Sequence, residues 1–158
     1  GFSPDLATMY YTDAMAREIY AYDFNSETSQ LSNRRLFKKI DSDLGVPDGM
    51  TVDADGYVWS ANWFGGCIIR FDPEGKEERR IQTPALQTSS VMFGGEDLDE
   101  LYFTSADFLC EPGTELDPVG YDWDEYRQSY RGGGLFRIRG IGVQGKKEYK
   151  ANFEWSQR

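Results

Sequence analysis

The chain has 158 residues, of which 39% are hydrophobic and 15% aromatic, enough apolar material for one ordinary domain with a core. Seventeen basic against 27 acidic residues leave a formal charge of −10, which repels nucleic acid phosphates and anionic lipid and excludes both as partners. No apolar run approaches the roughly 20 residues of a membrane span, no basic start with an apolar stretch marks a secretory leader, and the composition names no compartment.

The chain contains no histidine, which removes Ser-His-Asp and Cys-His catalysis, histidine zinc sites and the usual proton shuttle near neutral pH. Hydrolytic chemistry here must run on carboxylates, a metal or a low-pKa lysine. Cys67 and Cys110 form no CxxC pair and are too few for a disulfide framework, so the expected state is a pair of reduced, partly buried thiols, with a single bridge between them as the alternative.

Short runs of aromatic and β-branched residues, separated by Gly, Asp, Asn and Pro, predict an all-β chain. In chain order the first unit opens on Gly1-Phe2, turns at Ser3-Pro4-Asp5, and continues through Met9 to Thr12, Glu18 to Phe24 and a polar Arg35 to Ile40. The second runs Met50-Thr51-Val52, a turn at Asp53-Ala54-Asp55-Gly56, then Tyr57 to Ser60, Ile68 to Phe71 and Glu78 to Ile81. The third repeats the phrase with Val91-Met92-Phe93, a turn at Gly94 to Asp97, Leu101 to Thr104 and Leu135 to Ile138. Asp23 and Asp72 stand 49 positions apart, and Val52 and Phe93 stand 41 apart. Periods of about 40 to 50 residues, each carrying four antiparallel strands, are those of β-propeller blades.

The expected architecture is therefore a partial β-propeller over 1–158, with blades at roughly 1–45, 46–86 and 87–145. Three blades do not close a ring that usually needs about four to eight. Completion is expected from a preceding N-terminal half or from a second copy. Residues 107–131 interrupt the third unit as a loop, whose Tyr121, Trp123, Tyr126 and Tyr130 form either a lid over the channel or a self-packed surface loop. The clusters Asn33-Arg34-Arg35, Arg79-Arg80 and Lys146-Lys147 read as solvated faces of edge strands. The aromatics Tyr10, Tyr11, Tyr22, Trp59, Phe71 and Tyr102 are assigned to packing between blades.

Read as whole phrases, FSPD with YYTD, IYAYDF, LSNRR, PDGM with VDADG, VWSANW, IIRFDPEGK, TSSVMFGG and GGGLFRIRGIGVQG, the chain resembles the SMP-30/gluconolactonase family over nearly its whole length. The resemblance implies a six-bladed propeller with one divalent cation (calcium, magnesium, manganese or zinc) in a central channel, hydrolysing lactones of sugar acids. It also implies that Asp48, the aspartate of the PDGM phrase, is a metal ligand and candidate catalytic base. The family's other ligands, an asparagine and a glutamate, fall before Gly1, and its substrate-gripping residues belong to blades outside these residues.

Oxygen donors suit a hard divalent ion, which agrees with a histidine-free site. On the residues alone, Pro47-Asp48-Gly49 also reads as a simple turn before a strand. Asp53 and Asp55 read as turn punctuation repeated between blades. Inner-strand placement puts Thr88, Ser89 and Ser90 near the mouth shared with Asp48, where their hydroxyls either bond sugar groups or satisfy the core. Asn62 and Trp63 follow the second strand, with Trp63 stacking on a sugar ring or wedged between blades. A non-catalytic binding or assembly module, or a hydrolase of other esters on the same scaffold, is the alternative reading.

Overall fold

The computed structural model describes residues 1–107 and 132–148. The expected loop lies almost wholly outside them, as does Cys110. Among the described residues no helix is long and apolar enough to cross a membrane.

Among the described residues, ten strands form three antiparallel sheets. The first holds β1 (Thr8–Asp13), β2 (Glu18–Asn25) and β3 (Gln30–Lys39) in that order, with Phe2 bridging to Met9 ahead of β1. The second is complete and four-stranded: β4 (Val46–Val52), β5 (Val58–Trp63), β6 (Cys67–Phe71) and β7 (Glu77–Gln82). The third pairs β8 (Thr88–Gly94), β9 (Glu100–Ser105) and β10 (Leu135–Ile138). The pair Met9 and Tyr22 in the first sheet recurs as Val58 and Phe71 in the second, so the sequence repeat is a repeat of register. This is the all-β propeller architecture, about three blades of it.

Period-two alternation divides the middle sheet between two cores. Val58, Cys67, Ile69 and Phe71 pack with Tyr10, Ile19 and Ala21 of the first sheet, and Trp59, Ala61 and Ile68 pack with Val91, Phe93, Leu101 and Phe103 of the third. Every residue of β6 is consequently buried, which is why Cys-Ile-Ile-Arg-Phe reads as a nearly unbroken apolar run. Edge-to-face rings seal both junctions, Phe37 on Phe71 at 6.4 Å and Trp59 on Phe93 at 5.7 Å. Tyr11 and Tyr102 do not join them. Each follows a core residue or precedes one, so the alternation turns Tyr11, exposed, and Tyr102 toward faces that no described sheet covers.

The fourth strand of the first unit starts five residues earlier than the apolar pattern suggests, at Gln30. Register shifts along β2 and β3, with Asn33 at positive φ, let the polar Leu31-Ser32-Asn33 stretch pair without an apolar signature. Its arginines are neutralised locally: Arg35 meets Asp23 at 2.7 Å, and Arg34 lies over the Tyr20 ring at 3.8 Å. Arg79 with Glu78 and Arg80 with Glu77, each at 2.8 Å, do the same on β7. Asn33-Arg34-Arg35 and Arg79-Arg80 lie on edge strands, whereas Lys146-Lys147 lies outside the strands.

Candidate functional site

Pro47-Asp48-Gly49 is not a turn. It lies inside β4, where Pro47 pairs with Asn62 and Met50 with Ser60, so that two residues, Asp48 and Gly49, oppose Ala61 alone. That is a β-bulge, the device by which a strand re-aims one side chain. The same irregularity recurs in β8, where Thr88 pairs with Ser105 and Ser90 with Thr104 while Ser89 has no partner. Ser89 thus stands in the third sheet where Asp48 stands in the second. The bulge repeats, and the carboxylate does not.

Two glycines hold this end of β4. Gly45, at φ 72°, lies so close to Trp63 that a Cβ would sit 2.0 Å from its carbonyl oxygen. Gly49 lets the bulge approach the next sheet, since a Cβ there would come within 2.7 Å of Ser90 Oγ, 2.8 Å of Ser90 Cα and 2.9 Å of the Ser89 carbonyl oxygen. The glycine of this phrase therefore serves an approach between sheets.

Asp48 itself is half-buried, and its carboxylate has no hydrogen-bond or ion-pair partner among the described residues. Burial alone raises its pKa above the ordinary 3.8. An unpartnered carboxylate beside hydroxyls fits one ligand of a hard cation, and no group of three or more Asp, Glu, Cys or His is gathered among the described residues.

The other predicted site residues separate into two groups. Ser89 and Ser90 stand beside the Asp48 bulge, with Ser89 Oγ 2.9 Å from Thr104 Oγ1 and Ser90 exposed. Trp63, within β5, bridges to Gln87 of the next unit and sets its ring edge-to-face with Phe64 at 6.0 Å. Thr88 takes the core-satisfying role, one of the two the sequence leaves open, and Asn62 also works in the fold. Thr88 Oγ1 donates to the Ala85 carbonyl at 2.9 Å and lies 2.6 Å from Thr83 Oγ1. Asn62 is fully buried within β5, donates to the Leu44 carbonyl at 3.0 Å and accepts from Ser60 Oγ at 3.1 Å, pinning the short helical turn Ser42–Leu44 that leads into β4.

At the far end of β4, Asp53 is more than punctuation. Its Oδ1 accepts from the amides of Asp55 and Tyr57 at 3.0 and 2.9 Å, and its Oδ2 takes Trp59 Nε1 at 2.9 Å and Arg70 Nε at 2.8 Å. Asp53 is 0% and the Arg70 side chain 6% exposed. The guanidinium also lies 3.8 Å over the Tyr57 ring. Burial alone would lower the Arg70 pKa, but the bonds it donates to the Asp53 and Glu78 carboxylates, with their charges, outweigh burial and raise it. Sequence reasoning missed this ion pair, although an arginine inside the run of β6 was its signal.

A family model described as the SMP-30/gluconolactonase/LRE-like region matches residues 1–107. The chain belongs to that family. Among SMP-30/gluconolactonase relatives, the pentonolactonase XacC of Haloferax volcanii is 38% identical, over 96% of this chain and 50% of its own length. A luciferin-regenerating enzyme superposes with a TM-score of 0.83 at 31% identity, over 96% of this chain and 47% of that one. The regucalcin of Agrobacterium tumefaciens, described as a calcium-binding protein, superposes at 0.75 with 28% identity, over 93% of this chain and 46% of that one. The chain thus spans about half the length of the SMP-30/gluconolactonase relatives it matches.

Proposed function

We propose that the chain supplies half of a metal-dependent hydrolase of sugar-acid lactones, with Asp48 as cation ligand and proton acceptor. The observation that carries this is the Asp48 carboxylate, half-buried on a bulge with no partner among the described residues. The lactonase named among its relatives supports the substrate class. A divalent cation bound there would supply positive charge to polarise a lactone carbonyl and to acidify water. Asp48 would contribute an oxygen to that ion and accept the proton of the attacking water at a carboxylate oxygen. Ser89, Ser90 and Trp63 would line the approach, where hydroxyls and an aromatic face suit a sugar acid.

A single carboxylate does not hold a divalent ion against water, so activity requires the further blades that bring the remaining ligands and close the channel. The test is lactone hydrolysis by this chain alone and by the chain completed with the N-terminal half of a family member, with and without chelator. The proposal expects no activity from the chain alone and chelator-sensitive activity from the completed form, lowered at least about 100-fold by Asp48→Asn. Chelator-independent hydrolysis by the completed form would sink the mechanism.

A further inference from the structure

A second concavity lies at the opposite end of the blades from Asp48. A cavity of about 630 Å³ opens between the first and second sheets, beside the turns Ser3-Pro4-Asp5, Asp53 to Gly56 and Asp72 to Gly75. That volume is within the ordinary range for small-molecule sites. It is formed entirely by the described residues of two packed blades and has no part in the proposed lactone chemistry.

Ala21, Phe37 and Pro73 line the cavity with apolar surface, beside the polar Ser3, Thr8 and Tyr10. Tyr10 is 6% exposed, packs its ring on Phe37, and lines the cavity, yet its hydroxyl has no hydrogen-bond partner among the described residues. The hydroxyl keeps contact with solvent through the cavity, where it stands as a free donor and acceptor. The charges that act on it across the cavity are Arg35, which acts most strongly, then Asp5 and Glu74. Arg35 is already committed, at 2.7 Å to Asp23 and 3.3 Å to the Asn33 carbonyl. Asp5 accepts from Ser3 Oγ and the Ala7 amide, both within its own turn. The Glu74 carboxylate has no partner among the described residues, and Asp55, which completes the rim, touches Arg70 only at 3.3 Å. Three carboxylates against one paired guanidinium leave the rim negative.

We propose that this cavity binds a small organic cation, a primary amine carried on a short apolar body. The ammonium would sit among Glu74, Asp55 and the Tyr10 hydroxyl, which accepts one of its protons, and the body would lie on Phe37 and Ala21. The inference does not rest on the role of Asp48.

The test titrates the full isotope-labelled chain with hexylamine, hexanol and hexanoate, matched in apolar length and differing in charge, and follows backbone amide shifts. Hexylamine is expected to move the amides of Thr8, Ala21 and Gly56 and to bind at least about tenfold tighter than hexanol, the margin of one charge-assisted contact. Tyr10→Phe and Glu74→Gln should each weaken it by roughly threefold, the loss of one modest hydrogen bond. Glu74 is exposed, so its variant keeps the test open even if Tyr10→Phe disturbs folding. Hexanoate binding as tightly as hexylamine would overturn the proposal and hand the cavity to Arg35. So would affinity unchanged in both variants, shifts confined to residues around Asp48, or no saturable binding by the amine.

Discussion

The two ends of β4 carry similar acidic phrases and use them in opposite ways. At one end Asp53 is fully buried, bonded through both oxygens to two backbone amides, an indole and a guanidinium. At the other, Asp48 is half-buried on a bulge with no partner among the described residues. A buried carboxylate with a full set of donors is consumed by the fold. One lifted out of the ladder and left without donors is a group to which the fold assigns no task, and such groups mark function.

The comparison can be broken most forcefully at Asp53. Asp53→Ala leaves Arg70 charged, buried and short of its main acceptor, and is expected to destabilise the chain by about 3–5 kcal/mol, read as a lower urea midpoint. A loss within the range of an ordinary surface substitution would show that the network is ornamental. Gly49→Ala comes next, because backbone atoms of Ser89 and Ser90 must move to admit the methyl group. Its expected cost is about 1–3 kcal/mol, and unaltered stability would mean that the two bulges do not meet as closely as described.

Asp48→Asn has the smallest effect and the opposite sign. Because burial raises the Asp48 pKa, the folded chain holds that proton to higher pH than the unfolded chain does. Stability is therefore lost as pH rises from the ordinary value of 3.8 through the raised one, and the cation-free asparagine variant should melt slightly above the parent at neutral pH. The difference should close as the pH falls below that interval. A variant that melts lower at neutral pH would mean that Asp48 has a structural partner after all.

Much of this was legible in the residues, for reasons that can be named. The three phrases expose the repeat because each must present the same alternation to its neighbours, and the recurring pair of Met9 with Tyr22 and Val58 with Phe71 is its physical form. Asp48 stood out from Asp53 through the PDGM phrase that the family resemblance singles out, and the register shows its counterpart in the third unit to be a serine. The bulge around Asp48 was not legible, since Pro-Asp-Gly has the chemistry of a turn and only the approach of Ser89 and Ser90 shows that its glycine serves another purpose. Nor was the burial of Asn62, whose partner is a backbone carbonyl that no side-chain pattern announces. The thiol of Cys67 was read as partly buried, and it is wholly so, with its pKa pushed up to about 11 by burial.

The most direct measurement is the affinity for a divalent cation of the completed propeller, titrated calorimetrically in the parent, in Asp48→Asn and in an Asp55→Asn control. The contrast between the two ends of β4 predicts that calcium or manganese binds the parent, that Asp48→Asn weakens it at least about tenfold, and that Asp55→Asn leaves it unchanged. Equal affinity in the parent and Asp48→Asn would contradict the assignment of the unpartnered carboxylate to the cation.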